Sequence, residues 1–218
     1  VSTPDRTADD RKADERRKPE QLLAFAGVQP GMKILDMGAG AGYSTELLAR
    51  AVGPAGVVYG QNANSSARFD ERFAKSPVRN VVKVVRAFED PVPPGAVNLD
   101  LVTMFQTYHD IAGSSTDRQR LLKNIFTALN SGGHLIITDH AAVPGSPASV
   151  GKSLHRLDEG LLKNEIEAAG FRLAGSSDFL RNPEDPRDAP HFKLSMRTDQ
   201  FALGAIVCVN RSLSFAPA

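Results

Sequence analysis

The residues best suited to hold a nucleoside-like ligand lie together near the end of a predicted strand. Asp36 follows a short apolar run, and Gly38, Gly40 and Gly42 come after it at every second position. Glycine has no Cβ, so this backbone can turn sharply and a ligand can lie directly against it. A helix pattern follows, and its first N–H groups and positive dipole end point at the same loop. We therefore expect Asp36, at the carboxyl end of its strand, to face a ligand-binding crevice.

The spacing of these glycines separates the candidate ligands. Dinucleotide-binding loops read G-x-G-x-x-G, but Gly42 comes two residues after Gly40, and Tyr43 takes the place of the third dinucleotide glycine. No Gly-Lys-Ser/Thr follows, so a Walker phosphate loop is excluded. The alternative is a glycine-rich turn without a ligand. Three alternating glycines cost stability if nothing requires them, which favours a binding loop.

A second group of chemistry-bearing residues follows two later strands. His109 and Asp110 come after the predicted fourth strand, and Asp139 and His140 after the fifth. Histidine titrates near neutral pH and suits general-base catalysis, with an aspartate to orient its ring. We predict catalytic roles for these four residues, with His109 as the first candidate base and His140 as the second. The alternative is that each histidine only bonds backbone at a strand end.

The same histidines raise the hypothesis of a divalent metal. His109, His140 and His155, with one aspartate, would supply nitrogen and oxygen ligands. No His-x-x-x-His or cysteine pair supports that arrangement, so the sequence predicts no metal ligand.

The pattern D-x-G-x-G-x-G from Asp36 to Gly42 resembles motif I of the class I S-adenosylmethionine-dependent methyltransferases. In that family the acid helps to hold the methionyl end of the cofactor, and the glycines let it lie across the loop. The resemblance implies S-adenosylmethionine as the cofactor and places Asp36, Gly38, Gly40 and Gly42 against it. Tyr43 would close over the methionyl group, or pack as an ordinary aromatic at a helix start.

Two positions depart from the family pattern. Most members carry an acid at the end of the second strand for the ribose hydroxyls, where this chain has Asn62. Asn62 still bonds hydroxyls, but more weakly than a carboxylate. After the third strand, Glu89 or Asp90 would serve beside the adenine, or Phe88 would stack on the ring. These departures leave open a scaffold that binds the cofactor weakly or has lost methyl transfer.

Shorter matches resemble one branch of the family, whose members are described as predicted methyltransferases. They are Arg17-Lys18-Pro19-Glu20, Tyr108-His109-Asp110, Asp139-His140 and the stretch 154–158. Some members of that branch carry export signals.

Composition indicates one ordinary α/β domain. The chain has 218 residues, of which 41% are hydrophobic and 23% charged, and its net charge is +1, so nothing suggests a nucleic-acid partner. No apolar stretch is long enough to span a membrane. The single cysteine, Cys208, lies in an apolar run and is predicted to be a core residue.

The first residue, Val1, leaves the compartment open. A trimmed chain or a removed leader would explain it. We expect a cytoplasmic protein if it uses the methyl donor, and an exported, periplasmic one if a leader precedes Val1. The sequence also leaves a homodimer open.

Alternating patterns predict a doubly wound, mostly parallel seven-stranded sheet, a Rossmann-like methyltransferase fold with N-terminal helices. We expect one domain with an N-terminal helical segment (1–30), an α/β core (31–210) and a tail (211–218). Predicted strands are 32–37, 57–60, 81–85, 99–104, 135–138, 171–178 and 201–209. Predicted helices are 5–18, 19–27, 43–52, 64–75, 116–129 and 156–169. The last two strands would form an antiparallel pair.

The sequence therefore predicts a methyltransferase that acts on a small-molecule acceptor, at oxygen, with a histidine base. Two loops rich in Gly, Pro or Ser, 143–151 and 181–198, are candidate lids. Lys152, Arg156 and His191 would form an anionic-substrate pocket or be ordinary surface charges. The alternative functions are a non-catalytic ligand-binding module and a metal-assisted lyase, isomerase or hydrolase. The glycine spacing disfavours an NAD-linked oxidoreductase.

Overall fold

A computed structural model describes residues 1–76 and 78–208, and the predicted tail lies outside them. The helices are α1 (Ala8–Arg17), α2 (Pro19–Phe25), α3 (Tyr43–Val52), α4 (Ala67–Lys75), α5 (Tyr108–Ala112), α6 (Arg118–Ala128), α7 (Val150–Leu154) and α8 (Glu159–Ala168). The strands are β1 (Lys33–Met37), β2 (Val57–Asn62), β3 (Val81–Val85), β4 (Leu99–Phe105), β5 (Leu129–His140), β6 (Arg172–Ser177) and β7 (Gln200–Ile206). In the described part of the chain, no helix has both the length and the apolar character needed to cross a membrane.

The seven strands form one sheet in the order β3-β2-β1-β4-β5-β7-β6. The first five are parallel, and β7 runs antiparallel to both β5 and β6. The predicted fold class is therefore confirmed, including the reversed final strand. Asp36 in β1 lies between Gly60 of β2 and Thr103 of β4, so the strand that carries it is at the centre of the sheet.

Helix boundaries follow local signals in the sequence. Thr7, Ser66 and Asp117 each accept a hydrogen bond from a first-turn N–H of α1, α4 and α6. Pro19 occupies the first turn of α2, where its missing N–H costs nothing. Gly53 ends α3 at a positive φ of 66°, as predicted from the Gly-Pro pair.

The core lies on both faces of the central strands. Along β1, Ile34 packs with α2 and α3 on one face, while Leu35 and Met37 pack with α5, α6 and α8 on the other. Successive side chains of a strand point to opposite faces, so a strand covered on both sides is apolar throughout.

Two apolar runs are more exposed than their composition predicts. The β-branched run 81–85 is typical of a strand covered on both faces, but β3 is an edge strand, and Val82 and Val85 are 42% and 48% exposed. Cys208 was expected in the core, but it lies just beyond β7 and is exposed. An apolar run shows neither which strand forms the edge of a sheet nor where a strand ends.

A buried ion pair fixes the connection between β6 and β7, residues 178–199, which includes the candidate lid 181–198. Arg156 is fully buried, and its Nη1 and Nη2 donate to the two carboxylate oxygens of Asp185 at 2.8 and 3.0 Å. The same guanidinium donates to the backbone oxygens of Ala141 and Ala189. All of these bonds tie the connection to the end of β5. Arg156 is therefore a structural residue and does not face an anionic substrate.

We expect Asp185→Ala to destabilise the protein by about 3–5 kcal/mol, since it leaves the Arg156 guanidinium buried without its partner. Asp178→Ala is the matched control, because this carboxylate is 91% exposed in its ion pair with Arg181. Chemical denaturation measures both changes. Equal effects of the two substitutions would contradict the structural role of the pair.

Candidate active site

Asp36 links the strand before the glycine loop to the helix after it and to the neighbouring strand. Its carboxylate is 1% exposed. It accepts hydrogen bonds from Ser44 Oγ (2.8 Å), Thr45 Oγ1 (2.7 Å) and Thr103 Oγ1 (2.8 Å). Burial raises the pKa of Asp36, and the three hydroxyl bonds oppose that rise. Asp36 therefore fastens β1, α3 and β4 together, and one of its partners, Ser44, lines an apolar cleft at the start of α3.

The three glycines of the loop have different roles. All have positive φ, which glycine adopts without strain. A Cβ at position 38 would lie 2.3 Å from Thr107 Cγ2, and one at position 42 would lie 2.6 Å from a ring carbon of Phe73. Packing within the protein therefore requires Gly38 and Gly42. Gly40 is exposed, and a Cβ there would meet only the Gly38 oxygen at 4.0 Å, so this glycine leaves room for a ligand.

The end of β2 supports the loop through two amide side chains. Asn62 accepts from Gly40 N (2.7 Å) and donates to Gly40 O (3.1 Å). Gln61 accepts from Gly38 N (3.2 Å) and donates to Arg86 O (2.7 Å). An amide can donate two and accept two hydrogen bonds, so Asn62 keeps one donor and one acceptor site for a ligand. Sequence reasoning did not single out Gln61.

The predicted adenine-side residues lie in the turn after β3. Phe88 is half-buried and packs against the core, while Glu89 is half-buried with its backbone oxygen bonded to Asn124. The structure thus places both residues next to the Arg86 carbonyl that Gln61 contacts.

Helix α1 covers the start of α3. The Tyr43 hydroxyl donates to Asp14 Oδ1 at 2.5 Å, and the Arg17 guanidinium lies 5.0 Å from the centre of the Tyr43 ring. Burial and the Asp14 charge raise the pKa of Tyr43. Asp14 also pairs with Arg6. Tyr43 therefore holds the N-terminal segment over the cleft.

Four histidines converge at the carboxyl ends of β4 and β5. The rings of His109, His140, His155 and His191 form what we call the histidine cluster. Ring centres of His109 and His155 are 5.5 Å apart, and those of His109 and His140 are 5.8 Å apart. His140 and His191 stack at 4.2 Å with an angle of 5° between their planes. The sequence analysis grouped His109, His140 and His155 in the metal hypothesis, and the structure brings these three residues together.

Close contact between α5 and α7 brings His109 and His155 together. A Cβ at Gly151 would lie 2.1 Å from the backbone oxygen of His109, and one at Gly113 would lie 2.4 Å from Lys152 N. Only glycine permits this approach, which sets His155, at the end of α7, against α5. His155 adopts the left-handed conformation with φ of 49°.

Asp139 determines the state of His109. The Nδ1 of His109 lies 2.6 Å from Asp139 Oδ1, and the backbone N–H groups of His109 and His140 both donate to the same carboxylate at 2.8 Å. Burial lowers the pKa of His109, but the charge and hydrogen bond of Asp139 outweigh this and raise it. The other ring nitrogen, Nε2, lies 3.3 Å from Asp110 Oδ1. This is the arrangement of an oriented general base.

His140 differs from His109 because it has no acidic partner. Its Nδ1 lies 2.8 Å from Thr198 Oγ1. Burial, together with neighbouring positive or titratable groups, lowers its pKa to about 2, so it is neutral and a weak proton acceptor. Those neighbours are His191, His109, Arg156 and Arg17. Of these two histidines, only His109 has a carboxylate bonded to its ring.

A cleft of about 370 Å³ lies between the histidine cluster and the end of helix α1. His140 and His191 form one wall, and Arg17 and Gln106 form part of another. Arg17 also lines the apolar cleft beside Tyr43, so the two clefts adjoin. His191 and Arg17 had only secondary places in the sequence analysis, because nothing in the sequence shows that distant loops meet here.

A comparison with known families decides what this arrangement is. The description "Methyltransferase domain" applies to a family that matches residues 10–174. The chain belongs to this methyltransferase family. The match confirms the predicted class I relationship.

Relatives and solved structures agree with this assignment. An arsenite methyltransferase of Halobacterium salinarum is 31% identical over 79% of this chain and 47% of the relative, and a sarcosine/dimethylglycine N-methyltransferase of Halorhodospira halochloris is 29% identical over 78% and 56%. The chain spans about half the length of these curated methyltransferases. A solved S-adenosylmethionine-dependent methyltransferase of Aquifex aeolicus covers 92% of this chain and 97% of its own, with a TM-score of 0.66 and 21% identity.

The loop of this methyltransferase domain fits S-adenosylmethionine, the cofactor of the family. Gly40 faces open space, and Asn62 has hydrogen-bonding capacity left for hydroxyls. Helix α3 begins at Gly42 without a side-chain cap, so its first N–H groups are available to the cofactor. Asp36 is 1% exposed, and its carboxylate is already bonded to three hydroxyl groups.

His140 makes the stability of the domain depend on pH. Unfolded His140 has a pKa of 6.5, against about 2 when folded, so below pH 6.5 the unfolded chain binds a proton that the folded chain does not. Stability is therefore lost as the pH falls below 6.5. We expect the unfolding free energy of the wild type, relative to His140→Gln, to fall by up to about 1.4 kcal/mol per pH unit. Denaturation at pH 7, 6 and 5 measures this, and parallel curves would contradict it.

Proposed function

We propose that this domain transfers a methyl group from S-adenosylmethionine to an oxygen of a small-molecule acceptor, with His109 as the general base. The observation that carries the proposal is the His109–Asp139 pair, in which Nδ1 lies 2.6 Å from Oδ1. This pair lies at the carboxyl ends of the parallel strands, as the glycine loop does. A buried imidazole with a raised pKa, held by a fully buried carboxylate, is matched to accept a proton near neutral pH.

Bound S-adenosylmethionine supplies an already activated methyl group. The acceptor oxygen forms the new bond to carbon, the carbon–sulfur bond breaks with its electrons on sulfur, and the hydroxyl proton goes to His109 Nε2. The chain must therefore orient the acceptor and hold that proton. In the neutral form of the ring, Asp139 accepts from Nδ1–H and Nε2 is the nitrogen that takes the proton, and Asp139 together with Asp110 stabilises the imidazolium that forms.

The chemistry of the cleft argues for oxygen rather than a soft acceptor such as arsenite. Thiolates are the ligands that suit soft centres, and the chain has one cysteine, Cys208. His140 pairs with Gln200 at one end of β7, whereas Ile206, two residues before Cys208, pairs with His134 at the other. Cys208 thus lies at the edge of the sheet opposite the cluster.

A second candidate function is a binding module that holds the nucleoside without turnover. Asn62 favours it, since a neutral amide engaged with Gly40 replaces the usual acid. Binding and turnover measured separately distinguish the two functions.

The exposed Gly40 provides a test of the cofactor loop. We expect Gly40→Ala to weaken S-adenosylmethionine binding about tenfold or more, equivalent to about 1.4 kcal/mol, because the new Cβ enters the ligand space. Gly27→Ala is the matched control, since Gly27 has a similar φ and nothing lies within 4 Å of a Cβ there. Both variants carry a left-handed alanine that costs about 1–2 kcal/mol. Titration calorimetry measures binding, and equal affinities of the two variants would contradict the proposed site.

A further prediction concerns the base. We expect His109→Gln to lower kcat by about 10²–10⁴-fold while S-adenosylmethionine binding is unchanged, and Asp139→Asn to act in the same direction. His134→Gln is the control, because His134 is exposed midway along β5, six residues before His140. The assay follows labelled methyl transfer to hydroxyl and amine acceptors.

Two outcomes would overturn this mechanism. Full activity of His109→Gln would remove the base from the proposal. Tight cofactor binding without transfer to any acceptor would favour the binding module.

A further inference from the structure

Two histidines of the cluster and the neighbouring Asp110 bring ligand atoms close together. His109 Nε2 lies 3.3 Å from Asp110 Oδ1, and His155 Nδ1 lies 2.9 Å from the same oxygen. Ligand atoms of the three residues all lie within 4.8 Å of one another. We infer that His109, Asp110 and His155 form a site for a divalent transition-metal ion of the class that imidazole and carboxylate bind, such as Zn²⁺ or Co²⁺. This inference rests on the proposed function only for its effect on the reaction.

The distances suit such an ion. With metal–ligand bonds of about 2.0–2.1 Å, neighbouring ligands of a tetrahedral ion lie about 3.3 Å apart. The His109–Asp110 distance of 3.3 Å already has this value, and the His155–Asp110 distance of 2.9 Å is close to it. Two imidazoles and one carboxylate leave at least one coordination position open, as in sites where a metal also binds an exchangeable ligand.

The carboxylate that would orient a metal-bound His109 is already in place. A metal-bound histidine usually donates its other ring N–H to a carboxylate, which fixes the tautomer and orients the ring. His109 does so through Nδ1 to Asp139, and the Asp139 oxygens accept two backbone N–H groups as well. The ring nitrogen that faces Asp110 is therefore the free one.

Access and charge also favour a cation. A cleft of about 550 Å³ opens beside Asp110 and His155, whose side chains are 55% and 35% exposed. Lys152 lines the same cleft with one positive charge. Asp110 and Asp139 place two carboxylates on either side of the His109 ring.

The backbone at His155 is a separate observation. This residue adopts φ of 49°, a conformation that glycine reaches at lower cost than histidine. Position 155 would therefore accept glycine without strain. It also provides a useful variant, since His155→Gly removes the ligand and relieves the backbone.

Occupancy of this site has a consequence for the proposed reaction. The nitrogen that would bind the ion, His109 Nε2, is the one that would take the acceptor's proton. An ion bound there blocks proton transfer, so divalent transition metals act as inhibitors of the methyltransferase.

The test is a titration of the metal-free protein with Co²⁺, followed by visible absorption, in the absence of cofactor and acceptor. We expect one Co²⁺ per chain, and affinity lowered more than about 100-fold by His155→Gly and about 10–100-fold by Asp139→Asn. His134→Ala should bind like the wild type. Thermal melting checks that each variant is folded. No binding by the wild type, or equal binding by His155→Gly, would overturn the site.

A second arm measures methyl transfer with Zn²⁺ and then with a chelator, each variant against its own metal-free rate. We expect Zn²⁺ to inhibit the wild type and the chelator to restore it, with His155→Gly resistant. Zn²⁺ without effect on a wild type that binds Co²⁺ would overturn the inhibition. The Co²⁺ arm needs no turnover, so failure of the proposed function is recognised separately from failure of the site.

Discussion

The Asp139 carboxylate is the interaction on which the candidate active site depends. It is fully buried at the end of β5 and accepts three hydrogen bonds, two from backbone N–H groups and one from His109 Nδ1. Those bonds hold α5 against β5 and select which ring nitrogen of His109 is free. An uncompensated carboxylate at this depth would be costly, so the positions of the histidine and of the backbone are set together.

One cluster thereby contains histidines in opposite electrostatic environments. The carboxylate beside the ring of His109 raises the pKa of His109 against the effect of burial, whereas the ring of His140, 5.8 Å away, contacts the Thr198 hydroxyl through Nδ1 and has a depressed pKa. Groups whose environments push their pKa values apart divide the chemical roles between them. His109 is suited to take a proton or a metal ion, and neutral His140 to orient an acceptor from the wall of the cleft.

The longer helices and the strands were predictable from the sequence, but the tertiary contacts between them were not. Patterns of apolar residues and Gly-Pro signals placed α3 at 43–52 and β3 at 81–85, where the structure has them. Helices α5 and α7 have five residues each, too few for any periodicity to show. Helix α5 carries His109, and helix α7 ends at His155. His191 comes from the irregular connection between β6 and β7. The cluster therefore depends on tertiary contacts that no local pattern records.

The contact between Gly38 and Thr107 links the two halves of the site. Thr107 immediately precedes α5, and its methyl group occupies the space where any side chain at position 38 would begin. The glycine loop and the helix that carries the base are therefore packed directly on each other. Interiors at this density do not deform continuously, so a shift of the loop toward a ligand must move α5 as well. This contact therefore couples the position of the glycine loop to that of the helix that carries His109, and the packing against Thr107 requires glycine at position 38 by itself.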